Sequence, residues 1–241
     1  GEKILNVSRR SKYLILHLSK KLLIIHLGMS GKLLLLRKKD KTLFKTSFYY
    51  NLNIIPEHNH IYFFLNNGLI LIYNDVRRFG FFKLFNNKNL KKIPFLKKLG
   101  VEPFNKKFNE NYFKNYIKNK NKNIKNLLMD QTFVSGLGNI YVNEVLFMSK
   151  INPLKISKKL NRKKIKILIL NIKKVLKDSI SKGGSSIKDF ISSRGKSGTF
   201  QQFFKVYGKE NEDCSRNSCG GTIKKIFISN RSTFYCNKCQ S

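Results

Sequence analysis

The sequence predicts an α+β protein with a β-rich N-terminal part, a helical middle and a short C-terminal hairpin braced by cysteines. Three observations carry that prediction. Up to Phe85 the apolar residues recur with the period and run length of strands, and from Phe108 onward with the period of helices. The cysteines all fall at or after Cys214, in two close pairs, so they belong to one local site and not to a disulfide framework spread through the fold.

Strand-like runs occupy residues 4–7, 13–18, 22–26, 32–36, 61–65, 69–73 and 80–84, the pattern of a β-sandwich or barrel-like domain. Asn67-Gly68 marks a hairpin turn, because both residue types tolerate positive φ. Residues 37–56 are a polar and aromatic excursion, expected as a long loop. Residues 86–105 hold Pro94, Gly100 and Pro103 and are expected as a linker. Helices are expected over 109–119, 124–129, 139–149 and 160–181. Gly183-Gly184-Ser185-Ser186 should end the last of these and cap a short helix through Phe190. The Gly- and Ser-rich stretch 192–202 is expected as a mobile loop. The least generic segment is 131–149, where the Gly-punctuated turn 135–138 feeds a helix and places Asn139 at an N-terminus whose free N–H groups and dipole suit a phosphate. The domains expected are residues 1–86, a linker over 87–105, residues 106–208, and the hairpin 209–241.

Lysine and arginine total 49 against 13 acidic residues, a formal net charge of +36 spread along the whole length, and a polyanion is the partner such a charge favours. Lys, Asn and Ile are abundant together, as in proteins encoded by AT-rich genomes, so part of this charge is compositional. A membrane surface is disfavoured, since no long amphipathic helix pairs a Lys-rich face with an aromatic one. There is no run of about 18 uncharged apolar residues and no signal peptide, so a soluble, unexported protein is expected. At 41% apolar residues the chain can build real cores.

Cys214-x4-Cys219 and Cys236-x2-Cys239 offer four soft thiolates to a closed tetrahedral Zn²⁺ site, with the strand-like 222–227 and 232–235 between them as the hairpin that the metal staples. Asn230-Arg231-Ser232-Thr233-Phe234 is expected as a tight turn with Arg231 at its tip, either a phosphate contact or a solvated turn residue. In His26-Leu27-Gly28-Met29-Ser30-Gly31 a strand runs into a Gly-flanked loop with Met29 at its crest, as a wedge for a base stack or as a packed loop residue. Asn74-Asp75-Val76-Arg77-Arg78-Phe79-Gly80 sets Arg77, Arg78 and Phe79 in a loop between strands. That combination suits hydrogen bonding and stacking on an unpaired base, and equally a surface cation–π cluster.

The HLGMSG at 26–31, the D-x-RRFG at 75–80, the LMDQ-x3-SGLGNIY-x2-E at 128–144 and the cysteine hairpin with NRSTFYC resemble the bacterial formamidopyrimidine-DNA glycosylases, in the family's order and from about Val7 to Gln240. The resemblance implies an N-terminal β-sandwich, a helix–two-turns–helix domain and a zinc-finger hairpin, with damaged double-stranded DNA in the cleft between sandwich and helical domain. It implies removal of oxidised purines, chiefly 8-oxoguanine and formamidopyrimidines, and scission of the abasic strand by β- and δ-elimination through a Schiff base. Lys12 matches the lysine assigned to β-elimination and phosphate contact, and Arg231 the arginine assigned to δ-elimination. Met29, Arg77 and Phe79 match the residues that fill the gap left by the everted nucleotide and address the orphan cytosine, with Arg78 beside them. His26, His58, Arg77, Lys120 and Asn139 match DNA contacts, and 195–202 matches the loop that closes over the everted base.

Further implications are one structural zinc ion held by Cys214, Cys219, Cys236 and Cys239, a monomer, and residence in the bacterial cytoplasm with the nucleoid. Two departures stand out. The family opens with Pro-Glu-Leu-Pro-Glu-Val, whose imino group is the nucleophile. Gly1-Glu2 does not match it, so the chain as given is expected to be N-terminally truncated, with no catalytic role for Glu2. Cys214-x4-Cys219 also replaces the usual Cys-x2-Cys. The rival expectations are an inactive DNA-binding relic of the family and a zinc-ribbon RNA-binding protein. The related endonuclease VIII branch, which favours pyrimidine lesions, is set aside on the HLGMSG and RRFG loops.

Overall fold

The computed structural model describes residues 1–44, 55–86, 89–185 and 199–241. They form two compact units, residues 1–96 with 183–201 and residues 97–182 with 202–241. In chain order the first unit carries β1 (Ile4–Arg10), β2 (Tyr13–Leu18), β3 (Leu22–His26), β4 (Lys32–Arg37), β5 (Asn59–Phe64), β6 (Leu69–Asn74), β7 (Phe81–Phe85) and the short helix α1 (Pro94–Lys97). The strands pair antiparallel in two sheets, ordered β1-β2-β3-β7 and β4-β6-β5.

β3 reads as an unbroken apolar run because it is covered on both faces. Leu23 and Ile25 join Leu16 against Leu33 and Phe63 of the second sheet. On the opposite face Tyr13, Phe81 and Phe85 surround Phe95 of α1, with ring centroids 5.2, 5.9 and 6.0 Å from it. Each such buried aliphatic side chain contributes roughly 1.5–3 kcal/mol. Glu2, just ahead of β1, accepts hydrogen bonds from the Ser19 hydroxyl (3.0 Å) and the Lys20 amide (2.7 Å), which ties down the edge of the first sheet.

Several expectations change here. At the β5–β6 turn only Gly68 takes positive φ, at +77°, and its amide donates to Leu65 O at 3.3 Å. Asn67 stays at negative φ, the geometry of a type I turn closed by one left-handed glycine. The expected long loop begins by folding back on β4: the Arg37 amide donates to Thr42 O and the Phe44 amide to Leu35 O, at 2.9 and 2.8 Å. Residues 45–54 of it lie outside the described residues. The expected linker is ordered where described. Pro94 opens α1, as proline does at a first helical position where its missing N–H costs nothing. Ile93 and Leu96 are buried, and Val101 bridges in parallel to Val134.

The second unit carries α2 (Glu110–Ile117), α3 (Ile124–Met129), α4 (Asn139–Met148), α5 (Arg162–Ser181) and the hairpin of β8 (Ile223–Ile228) with β9 (Arg231–Cys236). Its asparagines are more than compositional bias. Asn109, Asn123 and Asn161 cap α2, α3 and α5 by accepting the amides of Tyr112, Asn126 and Lys164. α5 buries Ile165, Leu168, Ile169, Ile172 and Val175, a helical stripe that leaves its lysines outside. α4 is buried from Val142 through Phe147 and sits at the centre of this unit. The short helix expected through Phe190 lies outside the described residues, as does most of the expected mobile loop. Its end differs from expectation, since Phe200–Phe203 is a helical turn. No helix among the described residues is long and apolar enough to cross a membrane.

Replacing Asn161 by alanine should cost about 1 kcal/mol, the worth of a side-chain N-cap. Urea denaturation followed by far-UV circular dichroism checks this, and an unchanged midpoint would contradict it.

Candidate nucleic-acid interface

In the first unit one row of cross-strand pairs, Arg10–Tyr13, Tyr13–His26 and His26–Phe81, runs across the first sheet at its end. That row brings the β1–β2 turn with Lys12, the loop after His26 and the loop before Phe81 to the same edge. In the second sheet the row Lys32–Asn74–Asn59 does likewise for Ser30, Asp75 and His58. Residues 27–31 and 75–80 are therefore two sheet-to-sheet connections lying side by side. Their backbones touch. A Cβ on Gly28 (φ +67°) would lie 2.6 Å from Gly80 N and from Phe79 C, and one on Gly80 would lie 2.6 Å from His26 O and 1.9 Å from the Tyr73 hydroxyl. Only glycine permits this approach.

On these touching loops Met29 and Phe79 stand 54% and 57% exposed. The Arg77 guanidinium carbon lies 4.8 Å over the Phe79 ring, and Arg78 is exposed with φ +55°. Lys12 is exposed at the β1–β2 turn, next to Ser11 at φ +55°. His26 is half-buried between Tyr13 and Phe81 and stacks on the latter at 5.6 Å. Its Nδ1 accepts the Gly28 amide at 3.1 Å, which leaves Nε2 as the N–H of a neutral ring. Burial, then the charge of Lys12, pushes the imidazole pKa down.

Below these loops lies Asp75, which sequence reasoning left without a role. It is fully buried, and its carboxylate accepts from the Ser30 and Tyr73 hydroxyls and from the Arg77 and Gly80 amides. Burial alone would raise its pKa, but these donors hold it below the ordinary carboxylate range. The Asp75 amide donates to the carbonyl of half-buried His58 at 2.9 Å, and its carbonyl meets His60 Nε2 at 2.8 Å.

In the second unit the helices grip β9. Asn139 is the first residue of α4 behind Gly138, which offers no side-chain cap. Its Nδ2 donates to Ser232 O at 3.0 Å, and its Oδ1 is buried without a partner among the described residues. Asn143 Oδ1 accepts the Phe234 amide at 2.7 Å. Lys125 of α3, 1% exposed, donates to Ser232 O at 3.1 Å and to the Thr233 hydroxyl. Burial, then the positive charge of Arg231, pushes the Lys125 pKa down to about 8. Sequence reasoning missed this lysine. The signal was there, since it falls in α3 among Ile124, Leu127 and Leu128, all fully buried.

Arg231 is exposed, but not at the tip of the hairpin. Ser229 and Asn230, at φ +48° and +57°, form the two-residue turn, and Arg231 flanks it as the partner of Ile228. Lys120 is exposed after α2, with its ammonium 5.4 Å from the Tyr116 ring centroid.

The sulfurs of Cys214, Cys219, Cys236 and Cys239 all lie within 4.8 Å of one another, with Cys219–Cys236 at 3.6 Å and Cys214–Cys239 at 3.9 Å. A tetrahedral ion with metal–sulfur bonds of about 2.3 Å has sulfur–sulfur edges of about 3.8 Å, so the four residues could hold one metal ion. The two extra residues in the first knuckle do not spoil this. They accommodate Arg216, whose guanidinium donates to Phe147 O and Met148 O at the end of α4, at 2.7 and 3.2 Å.

Residues 1–82 match the formamidopyrimidine-DNA glycosylase N-terminal domain and residues 99–191 match the formamidopyrimidine-DNA glycosylase H2TH domain. The formamidopyrimidine-DNA glycosylase of Histophilus somni (strain 2336) is 40% identical over 238 residues, covering 99% of this chain and 82% of the relative. That of Rickettsia conorii is 42% identical over 238 residues, covering 98% and 81%. Lactococcus lactis Fpg in complex with abasic-site DNA superposes with a TM-score of 0.83 at 38% identity, covering 100% of this chain and 83% of that one. The chain belongs to the formamidopyrimidine-DNA glycosylase family. Within this glycosylase-family chain the touching loops fall inside the matched N-terminal domain, Lys125 and Asn139 fall inside the matched H2TH domain, and Arg231 and the cysteines lie beyond both.

The depressed pKa of Lys125 gives a signed expectation. Between about pH 8 and about pH 10.5 the folded protein holds fewer protons at this site than the unfolded chain, so its contribution to stability rises with pH through that window. Lys125→Met should flatten that part of the profile. Urea midpoints of both proteins across the window check it, and parallel profiles would contradict it.

Proposed function

We propose that this chain is a base-excision DNA glycosylase and AP lyase that removes oxidised purines from duplex DNA, braced by one structural Zn²⁺. The observation that supports it most is the pair of exposed apolar side chains, Met29 and Phe79, carried on loops that touch backbone to backbone. A base must leave the stack before its glycosidic bond can be reached, and the vacated gap must be filled from the groove side. Met29 and Phe79 fill it, while Arg77, with Arg78 beside it, addresses the base left unpaired. His26 and His58 contact the strand near Lys12, with the neutral His26 donating from Nε2. Lys120, the first turn of α4 at Asn139, and Arg231 hold phosphates.

Once the base is gone, chemistry at the abasic sugar follows. In β-elimination a C2′ proton is taken, the C3′–O bond breaks and the 3′ phosphate leaves with the electron pair. Lys12 assists this step. In δ-elimination a C4′ proton is taken, the C5′–O bond breaks and the 5′ phosphate leaves with its electron pair, and Arg231 assists. The names of the relatives and the Lactococcus lactis complexes with abasic-site and FAPY-dG DNA support this substrate class. Zn²⁺ in the cysteine site supplies folding energy and no chemistry.

The test is this chain with the family's opening Pro-Glu segment, the source of the nucleophile, placed ahead of it, on duplex carrying 8-oxoguanine opposite cytosine. Excision with phosphate at both new ends, and an Arg231→Gln product that keeps the sugar remnant, are expected. Preferential excision of an oxidised pyrimidine, or tighter binding of single-stranded RNA than of lesion duplex, would overturn the reading. Met29→Ala should weaken lesion-duplex binding by roughly tenfold or more, because filling a stack is a matter of a few kcal/mol, and leave undamaged duplex nearly unaffected. Equal losses on both duplexes would show that Met29 merely packs its loop. Metal analysis should find one zinc per chain, and Cys236→Ala should unfold residues 209–241, since such a site contributes roughly 10–16 kcal/mol of apparent binding energy.

A further inference from the structure

We propose that Asp75 is a positioning residue that locks the Met29 loop and the Arg77–Phe79 loop into one lesion-probing unit, with the Ser30 hydroxyl as the joint between them. This rests on the reading of Met29 and Phe79 as the side chains that enter the base stack. Ser30 and Asp75 are 45 residues apart in sequence, and both are buried, at 1% and 0% exposure. Oδ1 of Asp75 accepts from the Ser30 hydroxyl, while the Arg77 amide is shared between Ser30 Oγ at 3.1 Å and Asp75 Oδ1 at 3.3 Å. Oδ2 accepts from the Tyr73 hydroxyl at 2.6 Å and the Gly80 amide at 3.0 Å. The carboxylate thus holds both ends of its own loop and, through Ser30, the neighbouring loop.

A buried carboxylate is an expensive way to fill space, because it must be stripped of water. Here it is met by two hydroxyls and two backbone amides, groups that fix directions more than they neutralise charge. What needs fixing is visible above it. Met29 and Phe79 are more than half exposed, so side-chain packing does not set their positions. Two wedges that enter one gap must arrive in register, and loops that moved independently would each lose entropy on binding. The Gly28–Gly80 contact sets the spacing of the loops, and the Ser30–Asp75–Arg77 bonds keep one from sliding on the other.

The test compares Ser30→Ala, which cuts the joint, with Tyr73→Phe, which removes another donor to Asp75 without freeing the Met29 loop. Binding to duplex with a tetrahydrofuran abasic analogue is measured against undamaged duplex, with melting temperatures as control. Ser30→Ala should lower the lesion-to-undamaged ratio by about tenfold, the factor set by one lost hydrogen bond to a charged group. Tyr73→Phe should lower the melting temperature with the ratio unchanged. In the parent protein a Met29→Ala, Phe79→Ala double-mutant cycle should show coupling that disappears in the Ser30→Ala background. Should Ser30→Ala fail to fold, Asp75→Asn read by the same cycle takes its place. If Met29→Ala and Phe79→Ala leave the ratio unchanged, the stack-filling reading falls and the proposal with it. If both lower the ratio while Ser30→Ala matches Tyr73→Phe, or while the coupling survives the cut, the proposal alone is overturned.

Discussion

The close approach of Gly28 and Gly80 is the constraint on which the exposed end of the first unit depends. Two sheets packed face to face must be joined by crossing segments, and here both crossings that flank the motif residues run at the same end. Backbones that touch leave no room for side chains between them, so those of Met29, Arg77 and Phe79 are directed outward. The presentation of apolar groups to solvent, which ordinary folding disfavours, follows from a contact that folding favours. The buried Asp75 then supplies the directional bonds that two glycines cannot.

A different constraint organises the second unit. The hairpin of β8 and β9 is too small to form a core alone, and it packs Ile223, Phe234 and Cys236 against Phe147 of α4 and Val206. The same module grips α4 at both ends, through Ser232 on the Asn139 side chain at its start and through Arg216 on the carbonyls of Phe147 and Met148 at its finish. A cation at a helix C-terminus is favoured by the helix dipole as well as by the hydrogen bonds. Between them Glu144, buried, accepts the amides of Lys205, Val206 and Tyr207, and burial pushes its carboxyl above the ordinary value despite those donors. The cysteine site is therefore continuous with the helix that Asn139 opens.

What the sequence made legible was whatever had a period or a named turn residue. β2, β3 and helix α3 fall at the boundaries that apolar run length and helical spacing predict, because burial of their apolar residues spans their whole length. Misreadings came where one residue type has two uses. Pro94 reads as a chain breaker and is a helix opener; Asn230-Arg231 reads as a turn, but a two-residue turn with both φ positive suits Ser229-Asn230 better than a long side chain. Burial of polar residues was legible only at Lys125, through its apolar neighbours in α3. Asp75 differs from a surface residue only in what the fold places around it.

Lys125 also stands apart from the solvated lysines in a chain with 49 basic residues. A lysine replaced at random onto a solvated face leaves its pKa and its neighbours alone. This one is buried beside a second cation, Arg231, and is held there by a carbonyl and a hydroxyl, without an acidic partner among the described residues. Such a pair costs free energy in the free protein, because burial and like charge both oppose ionisation. An anion brought beside the two cations would offset part of that cost. On the proposed reading Arg231 and the first turn of α4 at Asn139 hold a DNA phosphate, and such a phosphate would bring a negative charge to the corner where Lys125 lies buried.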